Sequence, residues 1–189
     1  MGVSILDRLE EKTISRKEIF SGKVVSLELQ EVELPNGKTA NREIIKHPGA
    51  VAIIAITDEN KIVMVEQFRK ALDKIIVEIP AGKLEKGEEP DVCARRELEE
   101  ETGYECSQLE LLVSFYTSPG FADEIVHVYI AKGLVKKENS AALDEDEFVN
   151  LEELTLDEAI QYVKSQRIYD AKTVFAVQYL QLQEAIAGK

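Results

Sequence analysis

The chain has no tryptophan, and aromatic residues make up only 6% of it. Its apolar content of 44% is therefore mostly aliphatic, which still supplies a real core and excludes wholesale disorder. There are two cysteines, Cys93 and Cys106. They form neither a metal-ligand motif nor a disulfide framework, and they read as thiols of a reduced compartment. No apolar run reaches membrane-spanning length. The first residues, MGVSILDRLEEKTISRKE, lack the uninterrupted apolar core of a signal peptide, so a cytoplasmic protein without a membrane partner is the expectation. Positive charge is scarce: 23 Lys and Arg face 36 Asp and Glu, for a formal net charge of −13. That balance disfavours a protein that follows a nucleic-acid backbone, so no nucleic-acid partner is expected. It leaves small phosphorylated substrates open, because divalent cations invert a local acidic field.

What is there is a strand-rich chain of 189 residues, suited to one domain with a small extension. Residues 19–34 read as strand, and Asn36-Gly37 predicts a tight primed hairpin turn into a strand over 39–47. VAIIAI (51–56) and IVMV (62–65) pair as a hairpin, and KIIVEIP (74–80) adds a short strand. A loop, GKLEKGEEP, leads to a helix over 90–102 that Gly103 terminates. Val92, Ala94 and Leu98 are its expected apolar positions. Strands follow over 109–116 and 125–131, then an acidic loop, a strand in FVNLEEL and two C-terminal helical segments. The expected fold class is α+β, an α/β/α sandwich around a mixed sheet with a small N-terminal antiparallel sheet. Residues 1–45 form the expected strand extension and 46–189 the main domain. The exposed edges of the small sheet suit a homodimer.

RELEEETG (96–103) concentrates negative charge on the helix. Glu97, Glu100 and Glu101 stand at i, i+3 and i+4 and stack on one face. Such a group repels itself unless cations compensate, and hard oxygen donors suit Mg2+ or Mn2+. Arg96 can fix a carboxylate rotamer from behind. In isolation the pattern favours a solvated helix face. Gly82 and Glu88, at fixed offsets upstream, change that.

GKLEKGEEPDVCARRELEEETGY (82–104) resembles the signature of the Nudix hydrolases. Gly82, Glu88, Arg96, Glu97, Leu98, Glu100, Glu101 and Gly103 match its pattern, and Tyr104 departs from the usual aliphatic residue. The resemblance implies a Nudix-type fold over roughly residues 45–165 and divalent-metal hydrolysis of a nucleoside diphosphate linked to another group. It implies Glu97 and Glu101 as metal ligands, Glu100 as a third, directly or through water, and the Ala81 carbonyl as a further donor. Glu88, Arg96, Gly82 and Gly103 take supporting roles.

Pro119, fifteen residues after the signature, with REIIKHPGAV, VEQFR and EIPAGKLE, resembles the ADP-ribose pyrophosphatase subfamily. The implied reaction is hydrolysis of ADP-ribose to AMP and ribose 5-phosphate. The alternatives are a broader nucleotide-sugar pyrophosphatase and a non-catalytic nucleotide-binding regulator. The implied substrate is a small nucleotide sugar. Arg42 and Arg69 are candidates for phosphate or ribose, or are surface ion pairs. Glu124 is a candidate ribose contact or a charged loop tip. Phe20 either stacks on adenine or packs in the core. Glu147, or Glu145, in the acidic loop is the candidate base for water activation.

Overall fold

The computed structural model describes residues 9–137 and 148–188. They divide into two compact units, residues 9–49 with Tyr116–Ile125, and the remainder.

The smaller unit holds an antiparallel sheet of β1 (Lys12–Ser21), β2 (Ser26–Glu33) and β3 (Thr39–Lys46), in that order. β1 extends well before the expected start at residue 19, and all ten of its residues are exposed. It forms by pairing with β2 rather than by burying a face, so it carries no alternating pattern. The turn between β2 and β3 also differs from the expected primed type. The Gly37 N–H donates to the Leu34 carbonyl at 2.9 Å and the Leu34 N–H to the Lys38 carbonyl at 2.7 Å. Only Gly37 in this turn has positive φ, at 77°. Pro35, whose ring fixes φ near −65°, takes the second turn position and favours a type I turn closed by a left-handed glycine. The 117–124 loop runs beside β3, with the Ile45 N–H on the Phe121 carbonyl at 2.8 Å and the Asp123 N–H on the Ile45 carbonyl at 3.1 Å.

The larger unit is built on β4 (Ala50–Ile56), β5 (Ile62–Arg69), β6 (Lys74–Glu78), β7 (Ala81–Lys83), β8 (Tyr104–Tyr116), β9 (Ile125–Lys136) and β10 (Val149–Leu154). The main order is β10-β5-β4-β9-β8, with β6 on β5 and β7 on β4. β4 and β9 are parallel and the rest of β4's pairings antiparallel, so the sheet is mixed. Val51 to Ala55 are fully buried, and their alternation explains why. Val51, Ile53 and Ala55 pack with Cys93, Ala94 and Leu98 of α1 (Pro90–Thr102). Ala52 and Ile54 face the opposite way, toward Ala159 of α2 (Leu156–Lys164) and Ala176 and Val177 of α3 (Ala171–Ala187). A strand covered on both faces reads as a continuous apolar run. The larger unit is thus an α/β/α sandwich on a mixed sheet, and the smaller unit holds the antiparallel sheet, the class expected from the sequence. No helix among the described residues is long and apolar enough to cross a membrane.

A buried charge cluster lies in this unit. Glu78, at the end of β6, is 2% exposed. It accepts from Arg69 Nε at 2.5 Å and from Lys172 Nζ. Removing one partner strands a carboxylate in low dielectric. Lys172→Met is expected to cost about 3 kcal/mol, the low end for a broken buried pair because Arg69 remains. A urea midpoint checks this, and adding Glu78→Gln is expected to recover part of the loss.

Candidate active site

α1 spans the residues expected of it. Pro90 opens it, and Gly103, at φ 71°, closes it with its N–H on the Glu99 carbonyl at 2.8 Å. Its buried stripe differs from the expected one. Val92 is exposed at 54%, and Cys93 takes the core position instead. The stripe continues through Ala94, Glu97, Leu98, Glu101 and Thr102, so two glutamates point inward.

Both are held in defined places. Glu101 Oε2 accepts the Ala81 N–H at 2.9 Å. The Glu97 carboxylate lies directly over Gly82, where a Cβ would come within 1.9 Å of Oε1. Glycine is needed there for space, not for an unusual φ. Arg96 organises the outer side. Its Nε and Nη2 donate to the two oxygens of Glu88 at 2.9 and 3.0 Å. Its Nη1 donates to Glu97 at 2.8 Å and Glu100 at 2.9 Å. One guanidinium fork thus fixes three carboxylates. Glu88 also accepts the Glu85 N–H at 3.0 Å, which ties the 85–88 loop to the helix.

The Arg96 hydrogen bonds, opposed by partial burial, bring the Glu88 carboxyl down from 4.5 to about 2. Burial pushes the Cys93 thiol up to about 12, with Glu88 adding to it, so Cys93 is a core residue and not a nucleophile. In the unfolded chain Glu88 protonates near its ordinary 4.5. The native state therefore keeps it ionised down toward pH 2, and its stabilisation is complete above 4.5 and lost as pH falls through that interval. Glu88→Gln is expected to flatten this part of a stability-versus-pH curve measured by urea midpoints. The same substitution is expected to lower activity about 10- to 100-fold, the usual weight of a group supporting a metal ligand.

The donor set fits a hard divalent cation. Glu97, Glu100 and Glu101 are carboxylates on one helix face, and the space over Gly82 is shaped to a carboxylate group. Among the described residues no group of three or more His, Cys, Asp or Glu side chains is placed to hold a metal ion. A hard cation such as Mg2+ is commonly held by only one or two carboxylates, with water and substrate phosphate in its other positions.

The other expected residues are placed as follows. Arg69 sits in the larger unit, on Glu78. In the smaller unit, Arg42 pairs with Glu11 at 2.8 and 2.5 Å. Glu124 accepts from the Thr117 hydroxyl and lies 3.7 Å from His47 Nε2. Pro119 is in the turn closed by the Phe121 N–H on the Ser118 carbonyl at 3.1 Å. Phe20 is exposed rather than in a core, its ring close over Gly22. Glu145 and Glu147 lie outside the described residues. Glu99 has a partner that the sequence does not suggest, Lys137 at 2.8 Å. Tyr104 packs beside the α1 core and donates to Glu153 at 2.6 Å, which accommodates its departure from the family pattern. The Glu78–Lys172 pair has one signal in the sequence, a glutamate inside the apolar run KIIVEIP.

The chain belongs to the Nudix family: the NUDIX domain model matches residues 46–175. Over 180 residues, 95% of this chain and 97% of the other, it is 74% identical to a methanol dehydrogenase activator of Bacillus methanolicus. It is 63% identical over 181 residues, 96% and 98% of the two chains, to an ADP-ribose pyrophosphatase of Bacillus subtilis (strain 168). A solved ADP compounds hydrolase has the same fold, with TM-score 0.80 at 19% identity over 95% of each chain.

Proposed function

We propose that the chain hydrolyses the diphosphate linkage of ADP-ribose to AMP and ribose 5-phosphate with Mg2+ or Mn2+. The carrying observation is the Arg96-centred group of Glu88, Glu97 and Glu100 beside Glu101, in a chain so similar to a Bacillus subtilis ADP-ribose pyrophosphatase. A bound divalent cation would neutralise the diphosphate and make a water more acidic. Glu97 and Glu101 would hold it, with Glu100 and the Ala81 carbonyl as further donors. Arg96 and Glu88 keep these carboxylates in place. Arg69, Arg42, Glu124, Pro119 and Phe20 are assigned to the substrate. Glu147, with Glu145 as the alternative, takes the proton from the attacking water. A homodimer is proposed through the exposed β1 edge, which carries Ile14, Ile19 and Phe20.

The test is incubation of pure protein with ADP-ribose and Mg2+ or Mn2+, followed by detection of both products. Intact ADP-ribose across a metal series overturns the assignment. Faster turnover of another nucleoside diphosphate sugar in a panel replaces the substrate and keeps the chemistry. The relative named as a methanol dehydrogenase activator favours a second reading, that this chain activates such a dehydrogenase. Adding wild type or Glu101→Gln protein to a methanol dehydrogenase separates the two: activation that survives the substitution does not depend on hydrolysis.

A further inference from the structure

The sheet face under α1 carries a polar pair to which the roles above give nothing. Val51 of β4 stands opposite Gly82 of β7 on one side and His127 of β9 on the other. Residues opposite one another in a sheet point to the same face, so the three form a row. The face is that of α1. Val51 packs with Cys93, Ala94 and Leu98, and so does Tyr129, two residues beyond His127. The Glu97 carboxylate fills the space over Gly82 in the same row. Two strand spacings put the His127 backbone roughly 10 Å from that of Gly82.

His127 Nδ1 lies 2.7 Å from Ser114 Oγ on β8. Ser114 is exposed and His127 partly exposed. Nothing else among the described residues engages the ring by hydrogen bonding. The serine hydroxyl therefore engages Nδ1 and leaves Nε2 as the other polar atom of the ring, on the sheet face that carries Gly82. Carboxylates otherwise dominate the α1 group, and carboxylates repel phosphate. Arg96, its cation, already serves Glu88, Glu97 and Glu100.

We propose that His127 is a substrate-binding residue whose Nε2–H donates to a phosphate oxygen of the diphosphate. The inference rests on the proposed diphosphate chemistry. It holds for either charge state of the ring. A neutral ring with hydrogen on Nε2 accepts at Nδ1 from Ser114, and an imidazolium donates at Nδ1 to the same oxygen.

Two isosteres separate this role from a structural one. His127→Asn keeps a group near Nδ1 for Ser114 and lacks the Nε2 donor. His127→Gln carries an N–H close to the Nε2 position. For ADP-ribose, His127→Asn is expected to raise KM roughly tenfold, the weight of one hydrogen bond to a charged group. The expected kcat is nearly unchanged, and His127→Gln is expected to recover much of the KM. A second readout needs no turnover. The chain has only two histidines, so a 15N spectrum of the imidazoles shows two rings, assigned by His127→Asn. A non-hydrolysable ADP-ribose analogue with Mg2+ is expected to shift the His127 Nε2 resonance. Wild-type hydrolysis with an unmoved resonance and an unaltered His127→Asn KM overturns the His127 role alone. If no nucleoside diphosphate sugar is hydrolysed, the functional reading falls. Inorganic pyrophosphate with Mg2+ then decides: a shifted Nε2 supports the phosphate contact, and a static one overturns it.

Discussion

Glu101→Gln is expected to remove ADP-ribose hydrolysis, lowering kcat by about 10³-fold or more, while the protein folds normally. A metal's charge stabilisation is worth several kcal/mol, and each 1.4 kcal/mol is about tenfold in rate. The substitution is nearly isosteric, which matters because the residue is 7% exposed. The glutamine carbonyl can still accept the Ala81 N–H that Glu101 Oε2 now accepts at 2.9 Å. What disappears is one negative charge, and the amide hydrogens repel a cation. Removing a carboxylate from a self-repelling group also relieves the apo protein, so its thermal midpoint should hold or rise. The wild-type midpoint should climb with added Mg2+, since a ligand of the native state stabilises it, and the variant's should climb less. Retention of a tenth of wild-type kcat would remove Glu101 from the metal site. By contrast, Glu147→Gln tests only the base. Glu147 stands as the base if its loss also costs about 10²-fold or more.

Most of the framework was legible where burial imposes a period. VAIIAI reads as a strand because both faces are covered, and the 90–102 helix reads from Pro90 and Gly103 because those residues solve its two ends. The misread parts have physical reasons. β1 buries nothing, so pairing alone determines it. The phase of α1 slipped from Val92 to Cys93 because Glu97 and Glu101 occupy inward positions that a pattern rule reserves for apolar residues. Such violations of local consistency gather at functional sites. Here the two inward glutamates, Glu97 and Glu101, are those proposed to hold the metal. Partners distant in sequence were invisible: Glu11 for Arg42, Lys137 for Glu99, Lys172 for Glu78. The Ser114–His127 pair needed the register of neighbouring strands before its place on the α1 face had meaning. The glutamate roles themselves came from the family pattern, since spacing alone did not distinguish a metal site from a wet helix face.

Gly82→Ala is expected to be nearly as damaging as removing Glu97, through one methyl group. An added Cβ would stand 1.8 Å from Glu97 Cδ and 1.9 and 2.3 Å from its oxygens. No real contact is that short, so something moves. β7 is paired to β4 at Ala50, Val51 and Ala52, whereas the Glu97 carboxylate is the far end of a side chain that can change rotamer. The carboxylate therefore gives way, at little cost to the fold, and leaves the position that Arg96 and Gly82 now define for it. Activity should fall about 10²- to 10³-fold while the urea midpoint changes little, because a misplaced ligand loses the alignment on which catalysis depends. A double-mutant cycle with Glu97→Ala tests the cause. If the methyl acts only by expelling the carboxylate, Gly82→Ala adds no further loss once Glu97 is gone, and the coupling nearly equals the effect of Gly82→Ala alone. Independent, additive losses would mean that Gly82 serves the site through the path of β7 rather than through the seat of Glu97.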